Sequence, residues 1–124
     1  MVIFDSSIVI DALRKKKSVM DLIESYAEKE RIAITVISKY EILRGTIEKD
    51  ISLVSELLSQ FVIYDLEDSG IREAVKSYKR LAEKGKLVND LDVLIAGIAS
   101  ANNETLITKD KDFLSFENVK IIVL

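Results

Sequence analysis

VIFDSSIVIDAL, residues 2–13, begins with three apolar residues, breaks on an acid and two serines, and resumes with apolar positions. The first run is too short for a helix and apolar on both faces of an extended chain, so 2–5 reads as a buried strand and 6–15 as the helix that follows it. Asp5 therefore falls where the strand reaches the rim of a sheet. Outward from this stretch the pattern recurs: 31–36, 61–64, 105–108 and 119–123 read as further strands, and 18–29, 38–47, 50–59, 67–84 and 89–102 as helices. Strands alternating with helices imply an α/β fold, a three-layer α/β/α sandwich around a mostly parallel five-stranded sheet.

Apolar periodicity predicts which helix faces turn inward. The second helix carries Val19, Leu22, Ile23 and Tyr26, the third Tyr40, Leu43 and Ile47, and the fourth Ile51, Val54, Leu57 and Leu58. In 67–84 the expected inward positions are Ile71, Val75, Tyr78 and Leu81 or Ala82, with Gly85 suited to the C-terminal cap. The last helix places Leu91, Leu94, Ile95, Ile98 and Ala99 on its apolar side and is capped by Asn89 or Asp90.

A chain of 124 residues is expected to form one domain, 1–124, that buries roughly two-thirds of its unfolded surface. Hydrophobic residues at 48% and charged residues at 31% place it among globular proteins and away from disordered ones. No apolar run approaches the ~20 residues of a membrane span and no leader-like segment opens the chain, so the expected location is cytoplasmic, with no membrane partner. Zero cysteines exclude disulfides and thiolate metal sites. The net charge of −3 provides no overall basic footprint, so a polyanion must be held locally. Arg14 to Lys17 and the lysines of 76–86 read first as solvated helix faces, whereas Arg44, Lys109 and Lys111 flank acidic positions.

Four acids recur at strand ends or on the helices beside them. Asp5 ends VIF, Glu41 lies beyond IAITV, Asp92 opens VLIAGIA, and Asp110 follows TLIT. Open α/β sheets bind ligands at the carboxyl ends of their strands, and carboxylates gathered there repel one another unless a cation neutralises them. Without histidine or cysteine, the ion that suits them is hard and oxygen-loving, Mg2+ or Mn2+. Asp90 and Asp92 stand two apart, as do Asp110 and Asp112, so each pair offers two candidates. Helical residues two apart point about 200° from each other, so one member of the first pair faces the ion and the other serves as a cap or orients a water. Gly45, one turn after Glu41, leaves room for metal, substrate or close helix packing, and Arg44 is a candidate for pairing with Glu41 or holding a phosphate.

VIFDSSIVIDAL, ISKYEILRG, NDLDVLIAGIA and LITKDKDF, in this order and over essentially the whole chain, resemble the successive motifs of PIN domains, in particular the small ribonucleases that act as VapC-type toxins. The resemblance implies sheet order 3-2-1-4-5, Mg2+- or Mn2+-dependent cleavage of RNA, a cognate VapB-type antitoxin and a homodimer. It assigns Asp5, Glu41, Asp92 and Asp110 as metal ligands, favouring Asp92 over Asp90 and Asp110 over Asp112. Ser7 takes the small polar position after the first acid, and Thr108 the hydroxyl position before the last.

The lack of histidine points the same way, because attack by a 2'-hydroxyl usually relies on such a base. A metal-activated water, leaving 5'-phosphate and 3'-hydroxyl ends, is the expected nucleophile. Competing classes lack their own signatures. A haloacid-dehalogenase-type phosphatase needs a second aspartate where Ser7 stands, a receiver domain needs a lysine after its fifth strand, and four glycines form no phosphate-binding loop. The alternatives that remain are an RNA-processing PIN nuclease without an antitoxin and a non-catalytic binding module. An antitoxin segment is expected to insert a basic residue among the acids and to lie in a groove bordered by Val9, Leu13, Leu22 and Tyr26.

Overall fold

In a computed structural model describing residues 1–124, β1 (Val2–Phe4), α1 (Ser6–Leu13), α2 (Lys17–Lys29), β2 (Ile32–Thr35), α3 (Val36–Arg44), α4 (Ile51–Leu58), β3 (Val62–Tyr64), α5 (Asp68–Glu83), α6 (Asp90–Ala101), β4 (Thr105–Thr108) and β5 (Ile121–Val123) follow in chain order. Two short 3-10 turns, Glu48–Asp50 and Lys111–Ser115, complete it. The five strands form one sheet in the order β3-β2-β1-β4-β5. All four pairings are parallel, so the sheet expected to be mostly parallel is wholly so.

Alternation along the strands separates two cores. Val2, Phe4, Ile34 and Ile107 face the layer of α1, α2 and α4, where Phe4 meets Tyr26 and Phe61 edge-on at 5.8 and 6.4 Å. Ile3, Ala33 and Leu106 face α5 and α6, with Phe113 and Phe116 closing that core. No helix is long and apolar enough to cross a membrane.

The expected inward face of α5 is corrected. Ile71, Val75 and Tyr78 are 43, 46 and 50% exposed, whereas Gly70, Ala74 and Ser77 are buried together with Leu81, which does face inward as expected. The cause is the crossing with α6. A Cβ added at Gly97 would stand 2.5 Å from the Gly70 carbonyl oxygen and 3.0 Å from the Ala74 Cβ. Backbones this close admit only small residues between them, so the larger apolar side chains point away. Tyr40 and Ile47 of the third expected stripe are likewise exposed, and α3 buries Ser38 and Ile42 instead. Leu57 is 41% exposed while its neighbour Leu58 is buried.

Helix ends are set by local chemistry. Thr35 caps α3 by accepting from the Ser38 N–H at 3.0 Å, which lets the helix start directly from β2. Asn89 caps α6, accepting from the N–H groups of Leu91 and Asp92, so the cap is Asn89 and not Asp90. Gly85 has φ +72° just past α5; its N–H donates to the Ala82 carbonyl and that of Lys86 to the Leu81 carbonyl, the paired closure that a left-handed glycine permits.

Candidate active site

The connections leave β1 toward β2 in one direction and reach β4 on its other side, so the winding reverses between β1 and β4. The crevice outside the carboxyl ends at such a reversal is where open α/β sheets take ligands. Asp5 follows β1 at that edge, its N–H donating to the Ile107 carbonyl at 2.9 Å, and Thr108 ends β4 beside it.

Asp5 occupies the N-cap position of α1, yet its side chain makes no capping hydrogen bond. Its carboxylate is 4% exposed, and Oδ2 accepts from the Thr108 hydroxyl at 2.8 Å and the Ser7 hydroxyl at 3.0 Å. The Thr108 Oγ1 in turn accepts from the Asp110 N–H at 3.0 Å, Ser7 Oγ accepts from the Lys109 N–H at 3.3 Å, and Asp110 Oδ1 accepts from the Asp112 N–H at 2.9 Å. A chain of hydroxyls thus ties the end of β1 to the turn after β4. Buried carboxylates persist when their lone pairs are met in this way.

Ser6 was not singled out by its position in the sequence, but its hydroxyl donates to Glu41 Oε1 at 3.1 Å and lies 3.5 Å from Asp5 Oδ1. It joins α3 to the β1 end. The only sequence signal was the doubled serine after Asp5, which does not say which hydroxyl faces which acid. Glu41 is half-buried, and burial, with a further push from the Asp5 charge, raises its carboxyl above the usual range against the opposing pull of Ser6 and Arg44. Asp92 is more strongly affected. Burial and then the charges of Asp5, Asp110, Glu41 and Asp112 push it up to about 7. The other three acids expected at the rim, and Asp112, thus all act on Asp92. Asp90, in the first turn of α6, is exposed.

Two flanking cations behave differently from expectation. Arg44 forms no ion pair with Glu41; its guanidinium carbon lies 5.2 Å from the centre of the Tyr40 ring. Lys109 turns to Asp11 on α1, and that contact holds the Asp11 carboxyl below its ordinary range. Lys111 stays outside any ion pair.

Placed at the reversal point of a five-stranded parallel sheet, these motifs match the PIN domain family model over residues 2–119. The chain belongs to the PIN-domain family. Ribonuclease VapC1 of Methanocaldococcus jannaschii is 31% identical to this PIN domain over 120 residues, 96% of the chain and 81% of the relative. Among solved structures, VapBC2 from Rickettsia felis bound to a DNA fragment from their promoter contains a chain that superposes with a TM-score of 0.90 at 26% identity, covering 100% of this chain and 99% of that one. VapBC-1 from nontypeable Haemophilus influenzae shares the fold, with a TM-score of 0.86 at 19% identity over 99% and 98% of the two chains.

The donor set of this PIN domain suits a hard divalent cation, because every candidate ligand is a carboxylate or hydroxyl oxygen and Asp92 is raised first by burial and then by neighbouring negative charges, both of which a cation would offset. As placed, no three of the acids close around a single point.

Proposed function

We propose that this PIN domain is an Mg2+- or Mn2+-dependent endoribonuclease and the toxin of a VapBC-type toxin–antitoxin pair, hydrolysing RNA phosphodiesters with water. The observation that carries this reading is the convergence of four acidic charges on Asp92 at the reversal point of the sheet. The name of the M. jannaschii relative supports RNA as substrate.

Asp5, Glu41, Asp92 and Asp110 would hold the metal. Bound there, magnesium or manganese supplies Lewis acidity toward the water nucleophile and the leaving oxygen. The rest is positioning by the chain. Thr108 and Ser7 hold Asp5 in a single orientation, and Ser6 keeps Glu41 turned toward it. Asp112 stands outside the four ligands, where it can accept protons from water or border the substrate, whereas Asp90 borders the depression of Val75 and Leu94. With no histidine in the chain, the expected products carry 5'-phosphate and 3'-hydroxyl ends. Purified protein should cut single-stranded RNA with Mg2+ or Mn2+, stop in chelator and resume when metal is restored; undiminished cleavage in excess chelator overturns the reading.

The antitoxin is proposed to lay an apolar helix in the groove beside α1 and α2, a depression of about 490 Å3 lined by Val9, Leu13, Met20, Ile23 and Leu57. Of the four residues expected to border it, Val9 and Leu13 line it, Val9 as an almost wholly buried core residue, whereas Leu22 and Tyr26 lie outside its lining and pack against the same core. A basic residue on the same segment would meet the carboxylates, so its replacement by alanine should weaken inhibition. For the homodimer, the proposed contact is the exposed face of Ile71, Val75 and Tyr78 beside Leu94. Tyr78→Glu should then shift the protein toward monomer in sedimentation, and an unchanged dimer would exclude this face.

A further inference from the structure

A cavity of about 550 Å3 opens from the acid cluster on the side away from α1. Its lining includes the half-buried Asp92 and the exposed Asp112, Lys86, Lys111, Leu87 and Leu114. Its size lies within the range, about 300–1,000 Å3, of sites that hold small organic groups.

Three observations set this cavity apart from ordinary surface. First, neither Lys86 nor Lys111 is in an ion pair, whereas their neighbours are: Lys84 reaches Glu117 at 2.9 Å and Lys109 is held by Asp11. Lys86 acts on Glu117 only at a distance, so both lysines stand outside contact ion pairs beside a carboxylate cluster and suit a ligand that carries negative charge past it. Second, Leu87 is 101% and Leu114 60% exposed, so two large aliphatic side chains face water at the same opening. Single exposed leucines are common, but two at one charged cavity beside a reaction centre offer an apolar platform. Third, both sides are held by fixed backbone. Lys86 donates to the Leu81 carbonyl in the closure of α5 after the left-handed Gly85, and Lys111 to Ser115 form the turn whose Phe113 is buried in the core.

We propose that this cavity is a subsite for one nucleotide of single-stranded RNA beyond the two that the scissile phosphate joins, with Lys86 and Lys111 taking the phosphates on either side of that nucleotide and Leu87 and Leu114 taking the face of its base. This rests on the ribonuclease reading above and extends it to substrate positioning. An unpaired strand is required because only there is a base face free to lie on a side-chain platform. An aliphatic platform reads no base edge, so it selects for an unpaired nucleotide and not for its sequence.

The test compares Lys86→Gln, Lys111→Gln and Leu87→Ser with wild type and with Lys84→Gln, whose lysine is already paired outside the cavity. Each is assayed in Mg2+ on oligoribonucleotides of defined sequence that share one cleavage point and are lengthened one nucleotide at a time on the 5' or the 3' side. Wild type should gain about tenfold in kcat/KM when one particular nucleotide is added on one side. The three cavity variants should lose most of that gain and match wild type on the shorter substrate, whereas Lys84→Gln retains it. Binding of the same oligonucleotides, followed by fluorescence anisotropy in chelator, gives a second readout. There, each lysine substitution should reduce the slope of log K against log salt by about 0.7, while Leu87→Ser weakens binding without changing the slope. Equal losses at every length, or wild-type values throughout, overturn the subsite. If the variants weaken inhibition by an antitoxin but leave RNA affinity unchanged, the occupant is protein and the proposal fails. Should wild type not cleave at all, the ribonuclease reading fails, while the anisotropy series still decides the subsite.

Discussion

At the β1–β4 edge of the site, Asp5 is almost wholly buried and its carboxylate is met by the hydroxyls of Thr108 and Ser7. At the α6 edge, Asp92 is half-buried, is raised to about 7 by desolvation and by other acids, and has no hydrogen bond among the causes of its shift. The two carboxylates lie at the same rim of the sheet, close enough for the Asp5 charge to act on Asp92, but are built in opposite ways. One is an anchor whose orientation is over-determined by the surrounding chain. The other is held by a helix that is itself positioned by close packing on α5, and its charge has no protein partner to relieve it. A site of this kind combines a fixed reference point with a group whose free energy falls when a cation arrives.

Removing the anchor's charge is the most severe way to break this pairing. Asp5→Asn should lower metal-dependent RNA cleavage by about a thousandfold or more, ~4 kcal/mol of transition-state stabilisation, in single-turnover assays. Retention of activity within tenfold would remove Asp5 from the reaction centre.

Gly97→Ala attacks the other half without touching either acid. The new methyl meets the Gly70 carbonyl oxygen and Ala74, so α6 must move off α5. A loss of roughly 2–4 kcal/mol in denaturant unfolding is expected. Metal affinity should fall as Asp92 shifts, while the hydroxyls around Asp5 remain in place.

Thr108→Val sharpens the account of the anchor. It removes a donor to Asp5 Oδ2 and the acceptor for the Asp110 N–H while preserving shape. A destabilisation of roughly 1–3 kcal/mol is expected, since a buried carboxylate loses a partner. An unchanged melting temperature would mean that the hydroxyl network does not hold this edge.

The smallest effect concerns pH. Asp92 has a raised carboxyl in the folded state, so its contribution favours folding below the ordinary aspartate range near pH 4 and is lost as pH rises through about 7. In chelator, Asp92→Asn should therefore gain stability relative to wild type as pH rises from 4 to 8, by roughly 1–2 kcal/mol once discounted for the half of the side chain that water reaches. Saturating Mg2+ should abolish the difference. A pH-independent difference in thermal unfolding would show that Asp92 carries no such strain.

Most of the fold is legible in the chain because its signals are local. Short apolar runs, the acids and hydroxyls at their ends, and helical periodicity located every strand and helix to within a few residues, and Asp5, Glu41, Asp92 and Asp110 stood out by position. The sequence was misleading where two helices approach each other. Ile71, Val75 and Tyr78 form a convincing apolar stripe, but the buried face of α5 is the one with Gly70 and Ala74, because separation between backbones, not side-chain hydrophobicity, governs that contact.

The sequence by itself determined the α/β class and the oxygen-only chemistry of the site, because strand and helix patterns and the absence of histidine and cysteine are properties of residues taken in order. Only the tertiary structure decided that Ser6 serves Glu41, that Ser7 and Thr108 hold Asp5, and that Lys109 turns to Asp11 while Lys86 and Lys111 stay unpaired. Asp5 and Thr108 are 103 residues apart in the chain, and their hydrogen bond exists because β1 and β4 are adjacent in the sheet. Hydrogen bonds and charge fields act over a few ångströms in space, so which of several similar side chains meets a given acid depends on strand register and helix packing, which residue order does not specify.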